Sequence, residues 1–266
     1  MTAATPPASG AIRSDLLEDG TVLRLVLDRP KGNILTSEMM GELADALEAH
    51  RDDRHLRLVV VRGASGTFSY GASVEEHRKA LAPAMLARFH DLACRLASYP
   101  VPTAALVEGR CLGGAFELVL CCHFVFAMRG AVFACPEIKL GVFPPVLAVL
   151  GPGRLGAPVA ERMLLTGEEA SAEALAKTGF VTAVLDDGAD GEAAVLAWYR
   201  EKLRGLSAFA LRQAARAARA GAGAEDLGRQ LAAVERRYVG IVLESHDGNE
   251  GIEAFLARRP PVWEDA

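Results

Sequence analysis

Two glutamates stand in apolar surroundings, and each follows residues that constrain the backbone. Glu117 follows the pair Gly113-Gly114 inside the apolar run 111–128, and Glu137 follows Pro136. A carboxylate in apolar surroundings must be paired or functional, because burying an isolated charge is costly. Two such groups suit general acid and base catalysis, in which one gives a proton and the other takes one.

The glycines before Glu117 predict a helix that opens at Gly113-Gly114. Helix N-termini present unpaired N–H groups, so the Gly114 N–H can bind an oxyanion. Glu117 comes three residues later, about one turn along the same face. The alternative is a helix start tightened by small residues, with Glu117 at the surface, which the apolar neighbours disfavour. Those neighbours and the carboxylate together predict a buried core segment rather than a membrane span.

Glu137 and the segment 68–77 (FSYGASVEEH) supply the other candidates. A rigid strand end carrying Glu137 suits a general acid or base. An ordinary loop glutamate is the alternative, and spacing alone favours it. The backbone N–H groups at Gly71-Ala72 can supply a second oxyanion donor. Ser73 and Glu76 have the spacing of a capping box, which predicts a structural role for both.

The elements that position these residues alternate between strand and helix, which predicts an α/β fold with largely parallel pairing. Strands are predicted at 21–28, 56–62, 103–108, 124–127, 131–134 and 180–185, and helices at 37–50, 83–97 and 158–165. After Gly188 the pattern is helical, over 193–218 and 225–244. We therefore divide the chain into a polar tail (1–12), a core (13–190) and a helical region (191–266).

Composition and charge exclude several classes of protein. The chain has 266 residues, 51% hydrophobic and 24% charged, which is typical of globular domains and not of disorder, collagen or a small disulfide scaffold. A net charge of −5 disfavours nucleic-acid binding, which needs a cationic face. The first residues lack the apolar segment of a signal peptide. Five cysteines without a CxxC pair predict a reducing cytoplasm.

Other motifs predict structure more than chemistry. The segment 151–156 matches GxGxxG, but the acidic strand end that a dinucleotide site requires about 20 residues later is missing. No GxSxG nucleophile motif occurs. The histidines without metal-ligand spacing are predicted to be surface or packed residues: His77, His90 and His123. The arginines of one helix face are predicted to be solvated, with contact to coenzyme A or another subunit as the alternative: Arg212, Arg216 and Arg219.

Three segments in this order, FSYGASVEE, GRCLGGAFEL and FACPEIKLGVFPP, resemble the enoyl-CoA hydratase/isomerase (crotonase) superfamily. The early segment LDRPKGNIL and the late segment EGIEAFLARRPPVW are also similar, so the resemblance covers residues 22–263. It implies a crotonase-type spiral of repeated ββα units, followed by a C-terminal α-helical region used in oligomerisation. It also implies a homotrimer or a dimer of trimers.

The resemblance assigns roles to residues that match the family motifs. Ala72 and Gly114 would donate the two N–H groups of an oxyanion hole. Glu117 would activate water and Glu137 would protonate the α carbon, with roles shared between the two as the alternative. Four residues would contact coenzyme A, the last two across a subunit boundary: Lys31, Asn33, Phe255 and Arg258.

Departures from the common family pattern indicate the acyl group. Ser73 stands where an aspartate is usual, Ala115-Phe116 replaces smaller residues, and Phe143-Pro144-Pro145 replaces a Pro-Gly-rich loop. These features look most like the branch of cyclohexa-1,5-diene-1-carbonyl-CoA hydratases. A pocket lined by Phe143, Pro144 and Pro145 suits a ring, and the departures count against a straight-chain substrate.

We therefore predict a cytoplasmic lyase that adds water to a conjugated enoyl- or dienoyl-CoA thioester. It would need no metal or redox cofactor, no nucleic acid and no membrane. A double-bond isomerase or a decarboxylase on the same scaffold is the alternative, because those reactions can run on one carboxylate. An acyl carrier protein in place of coenzyme A is a further alternative. A non-catalytic RNA-binding protein is a remote one, which the net charge disfavours.

Overall fold

The computed structural model describes residues 10–221 and 226–266, and most of the predicted polar tail lies outside them. The tail is shorter than predicted, because Ala11 and Ile12 are buried and Ile12 begins the first strand. Strands β1 (Ile12–Leu17) and β2 (Val22–Leu27) form an antiparallel hairpin. Its turn runs through Asp19-Gly20, where the backbone has positive φ.

The main sheet has six strands in the order β1-β2-β3-β4-β6-β9. The new strands are β3 (Leu58–Gly63), β4 (Thr103–Val107), β6 (Phe124–Met128) and β9 (Ala183–Leu185). All pairs after the hairpin are parallel. A second sheet has the order β5-β7-β8, formed by β5 (Arg110–Leu112), β7 (Val132–Ala134) and β8 (Ala170–Ser171). The prediction of largely parallel pairing is confirmed.

Helices cover both faces of the main sheet. Before β9 they are α1 (Ser37–Ala49), α2 (Ala82–Ala97), α3 (Gly114–Leu120), α4 (Pro145–Leu155), α5 (Ala157–Thr166) and α6 (Ala172–Ala176). After it come α7 (Gly191–Lys202), α8 (Ala208–Gly221), α9 (Leu227–Arg237) and α10 (His246–Leu256). None of the helices in residues 10–221 and 226–266 carries an apolar run long enough to cross a bilayer.

The central strands of the sheet are buried on both sides, and alternate residues of β3 show this. Val59 and Val61 pack in the larger core, which contains the buried faces of α1, α2 and α3. Val60 packs in a second core with Val195 and Tyr199 of α7. Helix α7 therefore covers the far face of the sheet, although the sequence placed it in the helical region after residue 190.

Two local motifs have structural roles in this fold. The GxGxxG segment 151–156 lies almost wholly inside α4, where Gly151 is buried, so it forms no open loop for a phosphate. The predicted capping box between Ser73 and Glu76 is not formed, because Ser73 N–H donates to Leu35 O and the Glu76 carboxylate bonds to α1. The Glu76 carboxylate accepts hydrogen bonds from Ser37, at 3.0 Å from its N–H and 2.6 Å from its hydroxyl. Glu76 thus ties its segment to the start of α1.

Candidate active site

Gly113 and Gly114 shape the start of α3. Gly113 has φ +53°, and its N–H donates to Ala134 O at 2.7 Å. A Cβ atom at Gly113 would lie 2.6 Å from Glu137 Oε1, so only glycine lets this carboxyl group approach so closely. A Cβ atom at Gly114 would lie 3.4 Å from Ala72 Cβ. The two glycines therefore bring α3 against both Glu137 and the segment that contains Ala72.

Ala72 is held in an extended segment after β3. Its neighbours bond to Leu35, since Leu35 N–H donates to Gly71 O at 2.9 Å and Ser73 N–H donates to Leu35 O at 3.1 Å. The Ala72 N–H between them has no acceptor in the described part of the chain. The Gly114 N–H, at the first residue of α3, has none there either. Two adjacent backbone N–H groups are thus free to bind an acceptor.

The Glu117 carboxylate is held by the start of α4. Glu117 is 3% exposed, and its Oε1 accepts hydrogen bonds from Val146 N–H at 2.6 Å and Leu147 N–H at 3.0 Å. Pro145 suits the first residue of α4, because a proline there lacks an N–H that would have no partner in the helix. The two N–H groups and the positive end of the helix dipole favour the ionised form of Glu117.

Glu137 lies in the 3₁₀ turn Pro136–Leu140, beyond the end of β7, so the prediction of a strand end was inexact. Its Oε1 lies beside Gly113. Its Oε2 is buried and has no hydrogen-bond partner among the residues that the structure describes. No donor therefore stabilises a charge on this oxygen, and the environment favours the protonated form of Glu137.

These residues meet around one small cavity of about 20 Å³. It is lined by the predicted residues Ala72, Gly114, Glu117, Glu137, Phe143, Pro144 and Pro145. Other lining residues were not singled out from the sequence as site residues: His77, Met85, Leu86, Phe89 and Tyr238. The volume exceeds the 10–15 Å³ that one water molecule requires. The roles of the predicted residues remain predictions, but they do share this space.

Burial raises the pKa of both carboxyl groups above that of an ordinary glutamate. It raises the pKa of Glu117 to about 7, against the two N–H hydrogen bonds, which lower it. Burial also raises the pKa of Glu137 to about 8, and the nearby Glu117 charge adds to the rise. The two groups titrate as a pair. Near neutral pH the favoured state carries the charge on Glu117 and the proton on Glu137.

His77 lines this cavity, although the sequence predicted only a surface or packed histidine. Its Nδ1 lies 2.8 Å from Ser73 O, so Nδ1 carries the proton and Nε2 is the acceptor. Burial lowers its pKa, which keeps the ring neutral. His90 and His123 are packed, as predicted. His90 pairs with Glu235, and His123 contacts Thr103.

A larger groove of about 790 Å³ adjoins the small cavity, and Ala72 lines both. Lys31 and Phe255, two of the residues predicted to contact coenzyme A, line this groove together with Lys139. Two ammonium groups beside an apolar groove suit a ligand with phosphates on a long chain. Lys139 lies two residues after Glu137, and the sequence analysis did not single it out.

The other two residues predicted to contact coenzyme A lie elsewhere. Asn33 is 2% exposed, and its amide group donates to Ala64 O, Thr67 O and Phe68 O at 3.0–3.2 Å. Its side-chain oxygen accepts from Arg29 N–H at 3.0 Å. Asn33 therefore holds the loop after β3 and does not line the groove, and its contact with coenzyme A stays a prediction. Arg258 is exposed beyond α10 and does not line the groove.

A half-buried arginine and a buried arginine hold the other end of α3. Arg154 of α4 donates to Cys122 O, and Arg219 of α8 donates to Cys121 O, both at 2.6 Å. Cations suit this position, because the C-terminus of a helix is its negative end. The prediction of a solvated arginine face is wrong for Arg219, which is 8% exposed, and correct for Arg216, which is exposed.

Comparison with known proteins relates the chain to one family. The family model for enoyl-CoA hydratase/isomerase matches residues 18–266. The chain is 37% identical over 258 residues to a cyclohexa-1,5-dienecarbonyl-CoA hydratase of Thauera aromatica, covering 97% of this chain and 98% of the relative. It is 31% identical to a carnitinyl-CoA dehydratase of Salmonella typhi, covering 93% of this chain and 97% of the relative.

The fold has solved counterparts. The crystal structure of an enoyl-CoA hydratase from Mycobacterium avium subsp. paratuberculosis K-10 superposes with a TM-score of 0.83 at 28% identity. The match covers 96% of this chain and 99% of that one. The prediction of a crotonase-type α/β fold is therefore confirmed. By sequence and by fold, the chain belongs to the enoyl-CoA hydratase/isomerase family.

Proposed function

We propose that the protein adds water to a conjugated dienoyl-CoA thioester with a cyclic acyl group, such as cyclohexa-1,5-diene-1-carbonyl-CoA, or removes it in the reverse direction. The observation that carries this proposal is the pair Glu117 and Glu137, which line one buried cavity beside two free backbone N–H groups. The Thauera aromatica relative, whose name states this activity, supports the same substrate class.

The first step uses the two backbone donors as an oxyanion hole. The thioester carbonyl oxygen accepts from the N–H groups of Ala72 and Gly114, and these bonds strengthen as the carbonyl gains charge. The apolar side of the cavity, at Phe143 and Pro144, faces the ring. Lys31 and Lys139 bind the phosphates of coenzyme A in the outer groove. Both lysines carry point charges that suit phosphate.

Two proton transfers complete the addition. Glu117, ionised at the start of α4, takes a proton from water as the water oxygen bonds to the conjugated carbon. The electron pair of the double bond moves to the thioester, giving an enolate held by the two N–H groups. Glu137 then donates its proton to carbon and becomes ionised. Water is consumed as a hydroxyl group and a hydrogen atom, and no metal or redox cofactor is required by this scheme.

Products from a panel of thioesters in ¹⁸O-labelled water test this proposal directly. The panel holds cyclohexadienecarbonyl-CoA, crotonyl-CoA and 3-methylglutaconyl-CoA, each also prepared on an acyl carrier protein. We expect mass spectrometry to find labelled oxygen in the cyclic CoA product first and most strongly. A moved double bond or released carbon dioxide without ¹⁸O would instead support the isomerase or decarboxylase alternative.

The pH dependence follows from the paired carboxyl groups. Hydration requires Glu117 ionised and Glu137 protonated, so kcat/KM should rise as the pH approaches about 7 and fall above about 8. Dehydration starts with Glu117 protonated and Glu137 ionised, a state in which the pair again carries one proton. Both directions should therefore share one bell-shaped profile. Stopped assays of both directions measure it. A rate that rises steadily to pH 10 would contradict this assignment.

We further propose a homotrimer or a dimer of trimers, located in the cytoplasm. Large apolar side chains are exposed in the helical region and support an assembly: Leu206, Phe209 and Ile241. Light scattering of the purified protein tests it. The net charge of −5 continues to disfavour an RNA-binding role.

A further inference from the structure

Tyr238 has a buried hydroxyl group with no partner in the protein. Its side chain is 1% exposed, it lines the small cavity, and its hydroxyl oxygen lacks a hydrogen bond to any described residue. The ring packs against Phe143, with centroids 5.3 Å apart and planes at 63°. Tyr238 also opens the π-helical turn Tyr238–Val242, a feature that is frequent at functional sites.

The two other fully buried tyrosines of the described chain show what is unusual here. Tyr99 donates to Leu47 O at 2.8 Å, and Tyr199 donates to Thr21 Oγ1 at 2.6 Å. Buried polar groups normally have such partners, because an unpaired hydroxyl group loses its hydrogen bonds to water without replacement. Folding stability therefore does not explain the hydroxyl group of Tyr238, which indicates a role in function.

The polar groups that line the cavity indicate that role. Oε2 of Glu137 is a second buried oxygen without a partner, and it borders the same space. A volume of about 20 Å³ admits one water-sized oxygen. Any oxygen placed there meets two carboxyl groups and one phenol group. Among these groups and His77, the phenol is a donor that takes no part in the proton transfers.

We propose that Tyr238 donates a hydrogen bond to the oxygen atom that joins or leaves the acyl group. The proposal rests on the hydratase function proposed above. Tyr238 transfers no proton, since Glu117 takes one from water and Glu137 gives one to carbon. In the dehydration direction, the phenol O–H stabilises the departing oxygen as its bond to carbon breaks.

Two neighbouring groups support the choice of Tyr238 as this donor. His77 cannot fill the role in its neutral form, because the proton on Nδ1 is directed to Ser73 O. Burial and the charges of Glu137 and Glu117 raise the pKa of Tyr238 well above its usual range. The phenol therefore keeps its proton at every pH at which the enzyme would work.

The variants Tyr238→Phe and Tyr199→Phe test the proposal as a matched pair. Tyr238→Phe should lower kcat for hydration and dehydration by about 10- to 100-fold, with KM within about twofold, because one donor to the reacting oxygen is lost. Its Tm should equal or exceed that of the unmodified protein. Tyr199→Phe should lower Tm and leave kcat unchanged. Full kcat in Tyr238→Phe, or a Tm loss as large as that of Tyr199→Phe, would overturn the proposal.

A binding measurement decides the point without turnover. Calorimetry would compare 2-hydroxycyclohexane-1-carbonyl-CoA with cyclohexane-1-carbonyl-CoA. The unmodified protein should prefer the hydroxylated ligand by about tenfold, and Tyr238→Phe should lose that preference. Equal preferences in the two proteins would refute the role of Tyr238. If no thioester of the panel gains water, the hydratase function fails instead, and this comparison still tests the contact.

Discussion

Replacing Glu137 with Gln should lower the rate of water addition by about 10²–10⁴-fold, the range that general acid catalysis contributes, because this group supplies the proton to carbon. Gln has nearly the same shape, so Gly113 can still pack against it, but its amide group cannot donate a proton in this way. Single-turnover kinetics with the cyclic thioester measures the loss. Binding of coenzyme A thioesters should be unchanged, because the outer groove does not include residue 137.

The stability of Glu137→Gln separates lost chemistry from lost folding. Glu137 has a raised pKa in the folded protein, so ionising it costs stability. That cost is absent below its ordinary pKa of 4.5, grows as the pH rises, and is complete above about 8. The variant should therefore have a Tm at least equal to that of the unmodified protein at high pH. Glu161→Gln, at an exposed position of α5, is the matched control and should change neither property.

Replacing Glu117 with Gln should lower water addition by about 10²–10⁴-fold while leaving the position of the side chain intact. The Gln oxygen can still accept from Val146 N–H and Leu147 N–H, so the contact between α3 and α4 remains. What is lost is the base that takes the proton from water. The same assay with ¹⁸O-labelled water measures this loss.

The two single variants and the double variant distinguish a hydratase from its alternatives. Exchange of the α hydrogen of a saturated thioester with D₂O needs Glu137 but no attacking water. It should therefore survive in Glu117→Gln and disappear in Glu137→Gln. The double variant should be scarcely slower in hydration than either single one, because the two groups act as a unit. Full isomerase or decarboxylase turnover in Glu117→Gln would reject the hydratase mechanism.

The parts of the site that follow from local spacing were predictable. Gly113-Gly114 and Glu117 lie within one turn, so their relation depends only on the helix that the glycines open. The alternation of strands and helices likewise predicted the parallel sheet, and the ordered motifs indicated the family. The meeting of Glu117 with Glu137 depended on the resemblance, because 20 residues separate them in sequence.

The parts that depend on distant packing were not predictable. Tyr238 reaches the cavity because α9, which precedes it, packs on α2 and α4. In sequence, Tyr238 lies more than 90 residues after the start of α4, which holds Glu117. No pattern around Tyr238 distinguishes it from Tyr199, whose hydroxyl group is bonded. The packing of the Asn33 side chain was not predictable for a related reason. Its motif matched, but the loop carbonyl groups that occupy its amide group lie 31–35 residues away in sequence.

The cation at the end of α3 has a consequence for how far the chain can be shortened. Arg219, which caps that helix, belongs to α8, and Tyr238 follows α9, while α7 covers one face of the sheet. A fragment ending near residue 190 would expose that face and free the helix that carries Glu117. The segment after residue 190 therefore packs on the sheet, holds α3 in place and lines the cavity. We expect the smallest fragment that keeps this cavity complete to extend from β1 through at least Tyr238.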